Sequence, residues 1–127
     1  MPGDWYGPQA ICCVLKKLNK EIRPLPTFSM VVCNDGNVFF DKIQKKIDKG
    51  QSVFVSIPVR LGLNSIQPEY LNCLKRVFDL DQTVGIAGGQ ESNALYFVGI
   101  INPQSKDPKL LYLDPHFVQN AIPTNQV

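Results

Sequence analysis

TVGIAGGQESNALYFVGIINPQSKDPKLLYLDPH, Thr83 to His116, is the stretch whose reading decides the fold class. Three apolar runs rich in Val, Ile, Leu, Tyr and Phe are separated by the polar QESN and by NPQSKDP, a turn carrying two prolines. Runs of this composition bounded by Gly, Pro, Asn and Ser read as strands. Connections this short can join antiparallel neighbours, whereas parallel strands need a crossover of a dozen residues or more.

Working outward from this run, the upstream half mixes helices with strands. GPQAICCVLKKLNK reads as a helix, with Pro8 at the first helical position and Ile11, Val14, Leu15 and Leu18 on one face. TFSMVVC is a short strand closed by the turn signal Asn34-Asp35-Gly36. DKIQKKIDKG predicts a short exposed helix, with Asp41 as N-cap and Gly50 as its stop. SVFVSIPVRLGL predicts a mostly buried strand that Pro58 bends or ends. QPEYLNCLKRVFDL is a further helix, with Pro68 near its start, Glu69 in its first turn, and Leu71, Leu74 and Phe78 directed inward. The expected class is α+β, an antiparallel sheet with helices packed on it. The 127 residues suit one domain or a piece of a larger one.

Composition excludes several kinds of function. The 44% of apolar residues is enough for a core, and a net charge of +2 spread over scattered Lys and Arg builds no basic field. Nucleic acid is therefore not an expected partner. No apolar run approaches the roughly 18–20 residues of a membrane span. The N-terminus lacks the charged-then-apolar order of a signal peptide, so the expected setting is cytoplasmic and the four cysteines are expected as free thiols. Cys12 and Cys13 are adjacent, Cys33 and Cys73 stand alone, and no C-x-x-C spacing offers a metal site. No cofactor is expected.

The only histidine, His116, follows Asp114 by two residues at the end of the last strand. Side chains at i and i+2 of a strand share a face, so extended backbone would set Asp114 beside His116 and turn Pro115 away. A carboxylate beside an imidazole orients the ring and stabilises its cation, the base-and-orienter half of a nucleophilic site. Two solvated polar residues at a strand end are the plainer reading of the same pair.

Five words occur here in order: GDWYGP, IPVRLGL, GIAGG, YFVG and YLDPH. Together, from Gly3 to Gln119, they resemble the autophagins, the cysteine peptidases of autophagy. The resemblance implies a papain-like α+β fold and a peptidase that cuts a ubiquitin-like autophagy modifier after its C-terminal glycine. It also implies release of that modifier from phosphatidylethanolamine, so membrane contact would come only through the lipidated substrate. Carried over by position, Asp114 and His116 are the family's catalytic aspartate and histidine. Trp5 corresponds to the tryptophan that covers the active-site groove, though alone it also reads as a core anchor. The loop beside the groove falls on Gly88, Gly89, Gln90, Glu91, Ser92 and Asn93, where the two glycines permit backbone conformations closed to other residues.

The chain departs from the family pattern in four places. No Gly-Trp-Gly-Cys type segment precedes the tryptophan, so the family's nucleophile has no counterpart, and the oxyanion-stabilising residue is likewise missing. Glu91 stands where the family has proline, and Leu95 where it has histidine. Cys12, Cys13, Cys33 and Cys73 each read as small apolar residues rather than activated thiols. The expectation is a C-terminal part of a catalytic domain, a single partial domain over 1–127 without its N-terminal lobe. The competing expectation is a binding module that recognises the modifier without cleaving it.

Overall fold

The computed structural model describes residues 6–22, 25–62, 65–90, 93–118 and 120. Contacts cluster into two compact units, Met1–Leu63 and Asn64–Val127.

The first unit is built around a parallel pair of strands. Helix α1 (Pro8–Ile22) opens on Pro8, which needs no donor there, and its first backbone bond runs from the Ile11 N–H to the Gly7 carbonyl. Strand β1 (Phe28–Val32) pairs in parallel with β2 (Ser52–Ser56), in register from Phe28 opposite Ser52 to Val32 opposite Ser56. The crossover between them contains the turn Asn34–Gly36 and helix α2 (Phe40–Ile47). Asp35 and Gly36 take positive φ of 60° and 70°, which Asn-Asp-Gly tolerates where bulkier residues would not. Gly50 ends α2 as expected. At φ 72° it donates to the Ile47 carbonyl while Gln51 donates to that of Lys46, the nested pair of a Schellman motif.

Side chains of β1 alternate between two helices. Phe28 and Met30, with Phe54 of β2, face Leu15, Leu18 and Ile22 of α1 across an apolar groove of about 360 Å³. On the other face, Lys46 of α2 donates to the Ser29 hydroxyl at 2.6 Å. Burial is deepest at Ser29 and Met30 of this strand and at Cys33 just after it. Among the described residues, none of α1, α2 or the later helix Pro68–Val77 is buried.

The second unit holds α3 (Pro68–Val77) and an antiparallel sheet in the order β3-β4-β5. Strands β3 (Ile86–Gln90) and β4 (Asn93–Ile101) pair from Ile86 opposite Phe97 to Gln90 opposite Asn93, so only two residues connect them. Strand β5 (Lys109–Leu113) returns along β4, with a bulge between Phe97 and Gly99. Helices with an antiparallel sheet are present, as the α+β reading requires.

Four local expectations are corrected. The β1–β2 pair is parallel, because the segment between its strands is long enough to carry a helix back along the sheet. Asp41 is not the N-cap of α2. Phe39 occupies that place without a side-chain bond, and Asp41 lies in the first turn, where its charge meets the positive helix end. The second strand stops at Ser56, two residues before Pro58, and alternates between exposed and half-buried rather than being mostly buried. Leu71 of α3 is 46% exposed, while Leu74 and Phe78 are half-buried.

Candidate active site

The last rung of the β4–β5 ladder sets Tyr96 opposite Leu113. One residue further, Asp114 leaves the strand, and Pro115 has no N–H with which to continue pairing. The chain instead turns. The Phe117 N–H reaches back to the Asp114 carbonyl at 3.4 Å, closing a four-residue turn with Asp first and Pro second, the positions these residues favour. The Asp114 Oδ1 accepts the backbone N–H of His116 at 2.9 Å and meets the ring Nδ1 of the same residue at 2.7 Å. Both sequence-selected side chains are thus brought into contact. They meet through an Asx turn and not, as strand alternation would have it, across the face of a strand.

The electrostatics of the pair follow from this geometry. The backbone N–H of His116 holds the Asp114 carboxyl below the ordinary aspartate range; partial burial opposes that shift, and the imidazole's hydrogen bond and charge add to it. An ionised carboxylate only accepts hydrogen bonds, so the proton between the two groups belongs to Nδ1. In the neutral ring Nε2 then carries the lone pair, and it can take a proton from a nucleophile. The Asp114 side chain is 18% exposed and that of His116 is 48% exposed, so the orienting group is the more enclosed of the two.

Beside the pair, Tyr96 ties the sheet to the segment leading into β3. Its hydroxyl donates to the Val84 carbonyl, and its ring lies against Gly85, where an added Cβ would come within 2.6 Å of it. Sequence reasoning had not singled out Gly85 as a contact point, and a glycine before the β3 run was the available signal. The Asp-Pro dipeptide was likewise a turn signal at 114–115 that strand periodicity overrode.

Of the residues expected in a loop beside the groove, Gly88, Gly89 and Gln90 lie in β3 and Asn93 begins β4, as rungs of a hairpin. Gly89 requires its lack of a side chain, since φ is 152° and a Cβ would stand 2.2 Å from the Asn93 carbonyl oxygen. Gly88 meets nothing within 4 Å and has no such need. Trp5, Glu91 and Ser92 lie outside the described residues.

All four cysteines are free thiols. The Cys12 sulfur lies 2.9 Å from the Ser56 hydroxyl, Cys33 is buried, and Cys13 and Cys73 are exposed on their helices. Among the described residues, no three His, Cys, Asp or Glu side chains gather where a metal ion could be held. Nor is any described helix long and apolar enough to cross a membrane.

The description of the peptidase C54 catalytic domain matches residues 1–127. The chain belongs to the peptidase C54 family. Among curated relatives it is 33% identical to cysteine protease atg4da of Danio rerio over 98% of its own length and 25% of the relative's. It is 34% identical to cysteine protease ATG4C of Mus musculus over 94% of its length and 27% of the relative's. With the probable cysteine protease ATG4 of Meyerozyma guilliermondii the identity is 37%, over 94% and 28%. The chain therefore spans about a quarter of the length of these C54 relatives, and the autophagin resemblance carried by its five words is borne out.

Proposed function

We infer that this chain is the histidine–aspartate part of a cysteine peptidase of autophagy with a papain-like fold, and that a cysteine outside these 127 residues completes its site. The observation that carries the reading is the 2.7 Å contact between Asp114 Oδ1 and His116 Nδ1, which leaves Nε2 as the basic nitrogen. In the reaction, Nε2 takes the thiol proton, and the thiolate attacks the carbonyl carbon after the modifier's glycine. The imidazolium gives that proton to the leaving amine as the C–N bond breaks, leaving a thioester on the enzyme. Water, deprotonated by Nε2, then releases the glycine carboxylate and restores the thiol. Asp114 keeps the ring oriented and offsets its charge in each step.

The substrate is a ubiquitin-like autophagy modifier, as precursor and as phosphatidylethanolamine conjugate, met in the cytoplasm. Trp5 and the residues Gly88, Gly89, Gln90, Glu91, Ser92 and Asn93 are the proposed contacts of its glycine-ended tail. Relatives bearing the name cysteine protease ATG4 support the class of this reading. The half-exposed Ile11, Val14, Leu15 and Leu18 of α1 are apolar surface on which further residues of a protein of the relatives' length could pack.

A modifier-binding module without catalysis is the second reading. It is favoured by the state of the cysteines, with Cys12 engaged by Ser56 and Cys33 buried. Precursor cleavage by a protein of the relatives' full length separates the two. Cleavage lost on His116→Ala establishes the peptidase, whereas tight modifier binding without any cleavage establishes the module.

A further inference from the structure

We propose that Pro115 is a positioning residue, which presets the tautomer of His116 by locking the turn that carries it. Three observations converge on it. The His116 amide and its ring nitrogen both address one atom, Asp114 Oδ1, at 2.9 and 2.7 Å, so a single backbone conformation between residues 114 and 116 satisfies both bonds. The Phe117 N–H closes the same four residues onto the Asp114 carbonyl. Pro115 is the second residue of that turn, the place where a ring-fixed φ near −65° removes the freedom that would separate the two bonds.

The turn is also of the kind that proline at this place favours. Among the described residues other than glycine, positive φ occurs at Asp35 and Asn102, so His116 keeps the negative φ of an ordinary turn. Leu113 anchors the near end through its rung with Tyr96, so the carboxylate is aimed from the sheet and the imidazole from the turn. Proline limits the unfolded alternatives as well as the folded one, so its effect extends beyond the contacts it makes. The pair is therefore assembled within four consecutive residues, and its orientation is encoded locally.

The part Pro115 plays in catalysis rests on the reading of His116 as acid and base, while its effect on the tautomer does not. The test therefore has a spectroscopic arm and a kinetic arm. In the 127-residue chain labelled with 15N and 13C and held below the concentration at which it associates, long-range proton–nitrogen correlations at alkaline pH report which ring nitrogen is protonated. The Asp114 carboxyl carbon and the His116 amide proton report the carboxylate. With Pro115 the Nδ1–H form should predominate, and the His116 amide should respond as Asp114 titrates. In Pro115→Ala the ratio of Nδ1–H to Nε2–H should fall several-fold, and in Pro115→Gly further. The Asp114 midpoint should climb toward the ordinary aspartate value of about 3.9.

Unchanged tautomer ratio and unchanged Asp114 midpoint in Pro115→Ala would overturn the proposal. Loss of the β4 and β5 amide pattern in both variants would also overturn it, because Pro115 would then be holding the sheet and not the imidazole. In a protein of the relatives' full length, Pro115→Ala should lower kcat and leave KM unchanged. If the tautomer shifts with no change in kcat, the positioning role fails. If that protein cleaves as well with His116→Ala as without it, the reading of His116 fails and the tautomer result stands.

Discussion

Asp114 does two things with one oxygen, and both shape what its loss should do. In a protein of the relatives' full length, His116→Ala should abolish precursor cleavage, and Asp114→Ala should lower kcat by several powers of ten, on the order of 10⁴-fold. Circular dichroism should find both variants folded, because neither side chain is part of the core. Near-normal turnover by either one would remove the pair from the site. The carboxylate also carries a pH signature. Its folded-state pKa lies below that of the unfolded chain, so its stabilising contribution is complete above the unfolded value of about 3.9. That contribution is lost as the pH falls through the lower, folded value. Urea midpoints measured from neutral to acid pH should therefore show a loss below about pH 4 that shrinks in Asp114→Asn. Equal acid slopes in the two proteins would mean that the His116 amide does not hold the carboxylate in solution. The pairing of these residues was legible in their spacing. The means of pairing was not, because alternation along a strand and an Asx turn both bring i and i+2 together, and Pro115 decides for the turn.

The β3–β4 hairpin distinguishes three glycines that look alike in the sequence. Gly89→Ala sets a Cβ 2.2 Å from a backbone oxygen at a φ of 152°, and the backbone has to move. Its cost should be on the order of 1–3 kcal/mol or more. Gly85→Ala meets the Tyr96 ring at 2.6 Å with φ at 147°, and a side chain yields more readily than backbone. The loss should be smaller than at Gly89 and should partly overlap with that of Tyr96→Phe, which removes the hydroxyl bonded to Val84. Gly88→Ala has open space and should fall within about 0.5 kcal/mol of the parent. Thermal melts of the four variants test the ranking, and a Gly88 variant as unstable as Gly89→Ala would contradict this register. The sequence word GIAGG marked where glycine is needed without saying which glycine. That depends on the strand facing each one, as when Gln90 pairs with Asn93 and sets Gly89 against the Asn93 carbonyl.

At the scale of the whole chain, apolar surface is left open. On α1, Ile11, Val14, Leu15 and Leu18 are between 43% and 49% exposed, and Leu15 and Leu18 border the apolar groove against Phe28, Met30 and Phe54. The purified 127-residue chain should therefore bind hydrophobic dyes and associate with rising concentration. It should neither hydrolyse a modifier precursor nor be labelled at Cys12 or Cys13 by a modifier bearing a C-terminal electrophile. Labelling that disappears with His116→Ala would instead make one of its own cysteines the nucleophile. By itself the sequence determined the elements whose causes are local: α1 starting at Pro8, α2 stopping at Gly50, the turn at Asn34-Asp35-Gly36, and the acid–base pair within two residues of each other. The five ordered words added the family. Only the tertiary structure decided that β1 and β2 run parallel, that the expected loop from Gly88 to Asn93 contributes rungs to a hairpin, and that the helix faces stay half open. Periodicity and turn chemistry act over a few residues of one chain segment, whereas strand partner, register and burial depend on surfaces brought together from distant segments.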